Sequence, residues 1–120
     1  MYAGIRDFVR DSNQSYNATL HIAASTTNSY IVSATAGKKI RVLSAFMMAG
    51  ATATDLWFGS MTISSNTSVI KSCLFQNGVQ TPVVLPFNEV GWFETDESAS
   101  LSVNTLAGSA TGVQITYIKV

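Results

Sequence analysis

Apolar and small polar residues alternate along this chain with a period of two, and no stretch keeps a period near 3.6 for long enough to bury one face of a helix. The run Gly112-Val113-Gln114-Ile115-Thr116-Tyr117-Ile118-Lys119-Val120 shows the pattern at its cleanest. Val113, Ile115 and Tyr117 fall on one side of an extended ribbon, Gln114 and Thr116 on the other. The strands this predicts are 18–24, 29–35, 40–48, 55–61, 69–76, 80–85, 99–106 and 113–120, separated by clusters such as Ala36-Gly37-Lys38, Ala49-Gly50, Ser64-Ser65-Asn66, Asn77-Gly78 and Gly108-Ser109. Asn77-Gly78 is the sharpest hairpin signal, because both residues tolerate the positive φ of a type I′ turn. Pro82 cannot donate to a ladder, so 80–85 reads as an edge strand or one that starts late.

Eight short strands at this spacing predict an all-β, single-domain antiparallel β-sandwich of jelly-roll type, each strand giving alternate residues to one core. The expected inward set is Leu20, Ile22, Ile31, Ile40, Val42, Phe46, Leu56, Phe58, Leu74, Val84, Leu101, Val103, Val113, Ile115 and Tyr117. An immunoglobulin-like sandwich is the competing topology, but its Cys, Trp, Cys spacing is absent. Residues 1–16 stand apart from the sandwich at 17–120. They hold Arg6-Asp7-Phe8-Val9-Arg10-Asp11 and then the turn-forming Ser12-Asn13-Gln14-Ser15, and read as a short N-terminal arm, with a frayed terminus as the alternative.

One segment breaks the alternation. In Ile40-Arg41-Val42-Leu43-Ser44-Ala45-Phe46-Met47-Met48 the positions that should face water are apolar too. The expectation is a contact between subunits through Leu43, Ala45 and Met47, with a central strand of the sandwich as the alternative. Trp57 and Phe58 are adjacent, so one ring faces away from the core; Trp57 joins the expected subunit interface.

Composition narrows the function. The chain has 120 residues, room for one core and not two. Only 12% of residues are charged, seven basic against seven acidic, so the electrostatic term that drives phosphate-backbone binding is missing and neither nucleic acid nor an anionic membrane is an expected partner. No apolar run is long enough to span a bilayer, and the N-terminal residues show no secretory signal. The lone Cys73 fits a reducing compartment, in which the sequons at Asn13, Asn17 and Asn66 stay unmodified.

Candidate chemistry is sparse. His21 is the sole histidine and no Gly-x-Ser-x-Gly elbow accompanies it. Cys73 sits in an apolar strand, where a thiol behaves as a small core residue. Glu89, Glu94, Asp96 and Glu97 surround Gly91-Trp92-Phe93; paired carboxylates suit a glycosidase or a calcium site, but the alternating ligands and turn glycine of a calcium loop are missing. Tyr30, Trp57, Trp92 and Phe93 offer stacking platforms for sugar rings, the alternative being core or interface roles. The expectation is a protein that is not an enzyme and needs no cofactor or metal.

The segments Ala36-Gly37-Lys38-Lys39-Ile40-Arg41-Val42-Leu43-Ser44 and Val84-Leu85-Pro86-Phe87-Asn88-Glu89-Val90-Gly91-Trp92-Phe93-Glu94-Thr95, then Ala99 to Asn104 and Val113 to Tyr117, resemble a pattern of small virion proteins of tailed bacteriophages. The resemblance covers roughly residues 17–120 and leaves out the arm. It implies a capsid decoration, or cement, protein: a jelly-roll sandwich that trimerises on the head surface where capsomers meet. Related proteins also serve as head fibres, tail parts or receptor-binding tips. On that footing the chain is expected in the virion, on the capsid surface, after synthesis in the host cytoplasm. It would be a homotrimer bound to the major capsid protein or another virion protein. The arm would grip that neighbour through Ile5, Phe8 and Val9, oriented by Arg6, Asp7, Arg10 and Asp11.

Overall fold

Among the described residues the alternation is realised as nine strands in two antiparallel sheets: β1 (Tyr16–Ile22), β2 (Ser29–Val32), β3 (Ile40–Ala49), β4 (Thr54–Ile63), β5 (Asn66–Asn77), β6 (Val83–Leu85), β7 (Phe93–Glu94), β8 (Ser100–Thr105) and β9 (Thr111–Lys119). The computed structural model describes residues 15–27, 29–63, 66–77, 81–105 and 108–120, with the backbone alone over 62–77. Most of the expected arm, including Ile5, Arg6, Phe8, Val9 and Arg10, lies outside the described residues.

One sheet has the order β1-β9-β3-β6, with β7 also on the β6 side of β3; the other has the order β2-β8-β4-β5. The pairings are nested, β1 with β9, β2 with β8, β3 with β6 and β7, and β4 with β5. Successive strands change sheet except at β4–β5 and at β6–β7, and the two antiparallel sheets form a sandwich.

Between the sheets lies one cluster, built from Ile22, Val32, Ile40, Val42, Ala45, Met47, Leu56, Phe58, Leu101, Val103, Val113, Ile115 and Tyr117. Each large member contributes on the order of 1.5–3 kcal/mol by leaving water. Phe93 of one sheet meets Phe58 of the other with ring centroids 4.9 Å apart. Side-chain hydroxyls tie the connections to strand ends: Thr95 Oγ1 accepts from Ile40 N–H at 3.0 Å, and Thr105 Oγ1 donates to the Ala23 carbonyl at 2.7 Å.

Three expectations are corrected. The β3–β9 register slips between Val42 and Ser44, and Leu43 is the extra residue. A bulge of one residue reverses which side the following residues face. Ile40 and Val42 point inward, but beyond the bulge Ala45, Met47 and Ala49 take over, and Phe46 and Met48 turn outward. Leu43, Ala45 and Met47 are therefore buried within the fold and cannot be the subunit contact, while Phe46 and its partner Val84 leave the expected core. Asn77 ends β5, but β5 pairs with β4 and β6 pairs with β3 in the other sheet, so β5 and β6 do not pair as a hairpin; Gly78 lies outside the described residues. Pro82 does precede a short edge strand.

Candidate functional site

The outer face of the β1-β9-β3-β6 sheet is a grid whose rows are set by the register. Asn17, Thr116 and Ser44 make one row; Thr19, Gln114, Phe46 and Val84 the next; His21, Gly112 and Met48 the third. The first row is polar, with Thr116 Oγ1 donating to Asn17 Oδ1 at 2.8 Å. The other two carry the large apolar groups: Phe46 is 42% exposed, Met48 40% and Val84 54%.

One end of this face is roofed. Between β6 and β7 the chain leaves the edge of β3 for residues 86–92, held by Asn88 N–H on the Leu43 carbonyl (2.9 Å) and Trp92 N–H on the Val42 carbonyl (2.8 Å). The excursion closes on itself. Asn88 Oδ1 accepts from Val90 N–H at 3.0 Å, the Asn88 carbonyl accepts from Gly91 N–H at 2.9 Å, and the Trp92 indole N–H donates to the Pro86 carbonyl at 2.7 Å. Gly91 lies flat on the Arg41 methylenes at φ +98°, where an added Cβ would sit 2.5 Å from Arg41 Cγ. Ile118, which pairs with Arg41, and the bulged Leu43 are both fully shut from solvent yet stand outside the inter-sheet cluster. The strap's own tip presents Phe87, Val90 and Trp92 to solvent.

The other end is bare. Gly112 sits between His21 and Met48 in its row, and nothing lies within 4 Å of where its Cβ would be. The missing side chain leaves a hollow of about 350 Å³ bordered by Thr19, His21, Phe46, Met48 and Gln114.

Other residues singled out by sequence fall elsewhere. Trp57 is half-buried on the opposite sheet, between Leu74 and Asn104 in register. Tyr30 is exposed on β2 of that sheet, and Cys73 lies in β5. The acidic residues do not converge: Glu94 faces Arg41 at 3.6 Å, Asp96 accepts from the Ser60 hydroxyl at 3.2 Å while its N–H donates back at 2.9 Å, and Glu89 and Glu97 are exposed. Among the described residues no three metal-ligating side chains cluster, and no helix is long and apolar enough to cross a membrane. Phe46, Met48 and Gly112 were not singled out for function by the sequence. The signal was present, because Arg41 and Ser44 are polar and three apart, which strict alternation cannot place on one face.

No family model matches the chain, and no curated protein matches it. Among solved structures, that of infectious bursal disease virus, Gx strain, is similar at 13% identity and a TM-score of 0.34, over 88% of this chain. The chain spans about a third (32%) of the length of that structure.

Proposed function

We propose that this chain is a non-enzymatic structural protein of virus particles, of the capsid decoration type, that associates with copies of itself and staples a shell by burying apolar surface. The observation that carries this reading is the placement of exposed grease. Of the eight large apolar side chains exposed among the described residues, Phe46, Met48, Val84, Phe87, Val90 and Trp92 all fall on the outer sheet face or its strap. Exposed apolar side chains gathered in this way mark an interface. A neutral chain with few charges is suited to association by area rather than by steering.

The sequence resemblance adds the finer reading: a homotrimer on a phage head, held by three N-terminal arms acting as linked weak modules. The strap is the part of the chain that carries the most specific stretch of that resemblance, Leu85 to Thr95. Two measurements test the proposal. Sedimentation velocity of the purified chain reads the copy number, and a monomer at micromolar concentration overturns the self-association reading. Co-sedimentation with expanded empty shells reads attachment. Deleting residues 1–16 is expected to abolish attachment while leaving the oligomer intact, and unchanged occupancy on the shells removes the arm from the proposal.

A glycan-binding tip using Trp57, Trp92 or Tyr30 is the second reading. Its support is the exposure of Tyr30 and Trp92. Retention on a glycan array, with no shell binding, would favour it over the first.

A further inference from the structure

We infer that the pocket beside the strap, walled by Arg41, Trp92 and Glu94, is a binding site for one residue of a neutral saccharide. This rests on the glycan-binding reading above and not on the shell reading, and it narrows that reading from three separate rings to one built site.

The three side chains share one face. Phe93 turns inward, its ring 4.9 Å from that of Phe58, so its chain neighbours Trp92 and Glu94 turn outward, and Arg41 stands opposite Glu94 in register. With Val90, Gly91 and Phe93 they border a hollow of about 320 Å³. That is the lower end of the roughly 300–1,000 Å³ in which small ligands are held, which suits a single sugar ring. Two of the three are fixed in advance. The Trp92 indole N–H is anchored on the Pro86 carbonyl at 2.7 Å, which leaves the ring exposed but tethered, and the Gly91 backbone lies on the Arg41 methylenes with no room for a Cβ. Groups already in place lose little freedom when a ligand arrives.

The chemistry of the ligand follows from what the pair lacks. Arg41 Nη2 and Glu94 Oε1 are 3.6 Å apart, too long for a hydrogen bond, and Glu94 Oε2 is buried with no hydrogen-bond partner among the described residues. A buried acceptor without a donor marks a place where a bound group completes the arrangement. A guanidinium only donates and a carboxylate only accepts, so a ligand that satisfies both must carry acceptors and donors side by side, and a hydroxyl is each at once. An anion entering here meets Glu94 and a cation meets Arg41, so charge is selected against in both signs. A neutral polyol remains, and the C–H face of a pyranose ring fits the apolar face of Trp92. The other two rings lack this surrounding: Trp57 lies between Leu74 and Asn104 and Tyr30 beside Ser102, with no guanidinium in either row.

The test is an array carrying neutral, sialylated and amino-sugar oligosaccharides, followed by calorimetric titration of the full chain with the neutral glycan it retains best. The native chain is expected to retain neutral glycans. Trp92→Ala and Glu94→Ala are each expected to weaken binding about tenfold or more, Trp92→Tyr to recover part of the loss, and Tyr30→Ala on the opposite sheet to bind as the native chain does. Glu94→Ala is expected to keep a melting temperature near the native one, so its loss of binding is not a loss of fold. Native affinity in either Trp92→Ala or Glu94→Ala overturns this site while the glycan reading stands. Retention of sialylated or amino-sugar glycans alone overturns the assignment of a neutral ligand. A chain that retains no glycan overturns that reading and this inference together, and leaves the shell reading untouched.

Discussion

The two ends of one sheet face show what covering an apolar surface does. At one end the chain covers itself: Leu43 and Ile118 reach zero exposure, and residues 86–92 are bonded alongside through the Leu43 and Val42 carbonyls. At the other, Phe46 and Met48 stand beside the hollow over Gly112 with no roof from the described residues. Both ends lie on the same strands, β3 and β9, and both carry large apolar side chains on the outward side. They differ in whether the cover comes from this chain. Burial contributes to folding in the first case and remains available for association in the second.

The sharpest way to break that contrast is truncation. Leu43→Ala removes a fully buried side chain and leaves a cavity, so a loss of about 2–5 kcal/mol is expected in urea unfolding, whereas Met48→Ala should stay within about 0.5 kcal/mol for the single chain. Equal losses would show that the two ends are covered alike. The glycines sharpen it further, because they should respond with opposite signs. Gly91→Ala meets Arg41 and must hold a strained φ, a loss of about 1–3 kcal/mol, while Gly112→Ala gains about 0.4–1 kcal/mol by restraining the unfolded chain. Thermal melts of the two variants read this directly.

Asn88→Ala removes the acceptor that closes the strap on Val90 N–H and is expected to cost about 1 kcal/mol, with faster hydrogen exchange confined to the amides of residues 88–92. Alkaline pH acts on the roofed end of the same strands. Burial, and next the neighbouring Tyr16 hydroxyl, push the Tyr117 phenol above its ordinary value. Its neutral form is the one the fold accommodates, so the contribution is fully present below the unfolded pKa of about 10 and is lost as pH rises through the folded value. Tyr117→Phe should flatten stability measured across that window, and an unchanged alkaline slope would assign it to other groups. The smallest effect is expected from Glu94→Gln. Its pair with Arg41 is 3.6 Å long and about a third exposed, so the change should be about 0–1 kcal/mol and shrink with added salt.

The sequence made the sandwich legible because period-two alternation is a local property. Val113, Ile115 and Tyr117 of β9 went inward as the pattern required, and Pro82 marked a short edge strand. It misled where one extra residue changed the phase. Strict alternation from Ile40 and Val42 carried Phe46 inward, whereas the Leu43 bulge sent it out and took Ala45 and Met47 in. The interface expected at Leu43, Ala45 and Met47 failed for that reason. The observation behind it, apolar residues on both sides of β3, stands and is divided between a roofed Leu43 and a bare Phe46 and Met48.

From the sequence alone came the all-β class, the alternation of inner and outer residues, and the edge strand after Pro82, since these depend on residues next to one another. Tertiary structure decided the nested pairing of the strands, the phase of β3 beyond its bulge, and the meeting of Gly112 with His21 and Met48 around one hollow. Those depend on register between strands far apart in the chain. Register is chosen by what the whole core can bury, and no single segment contains that information.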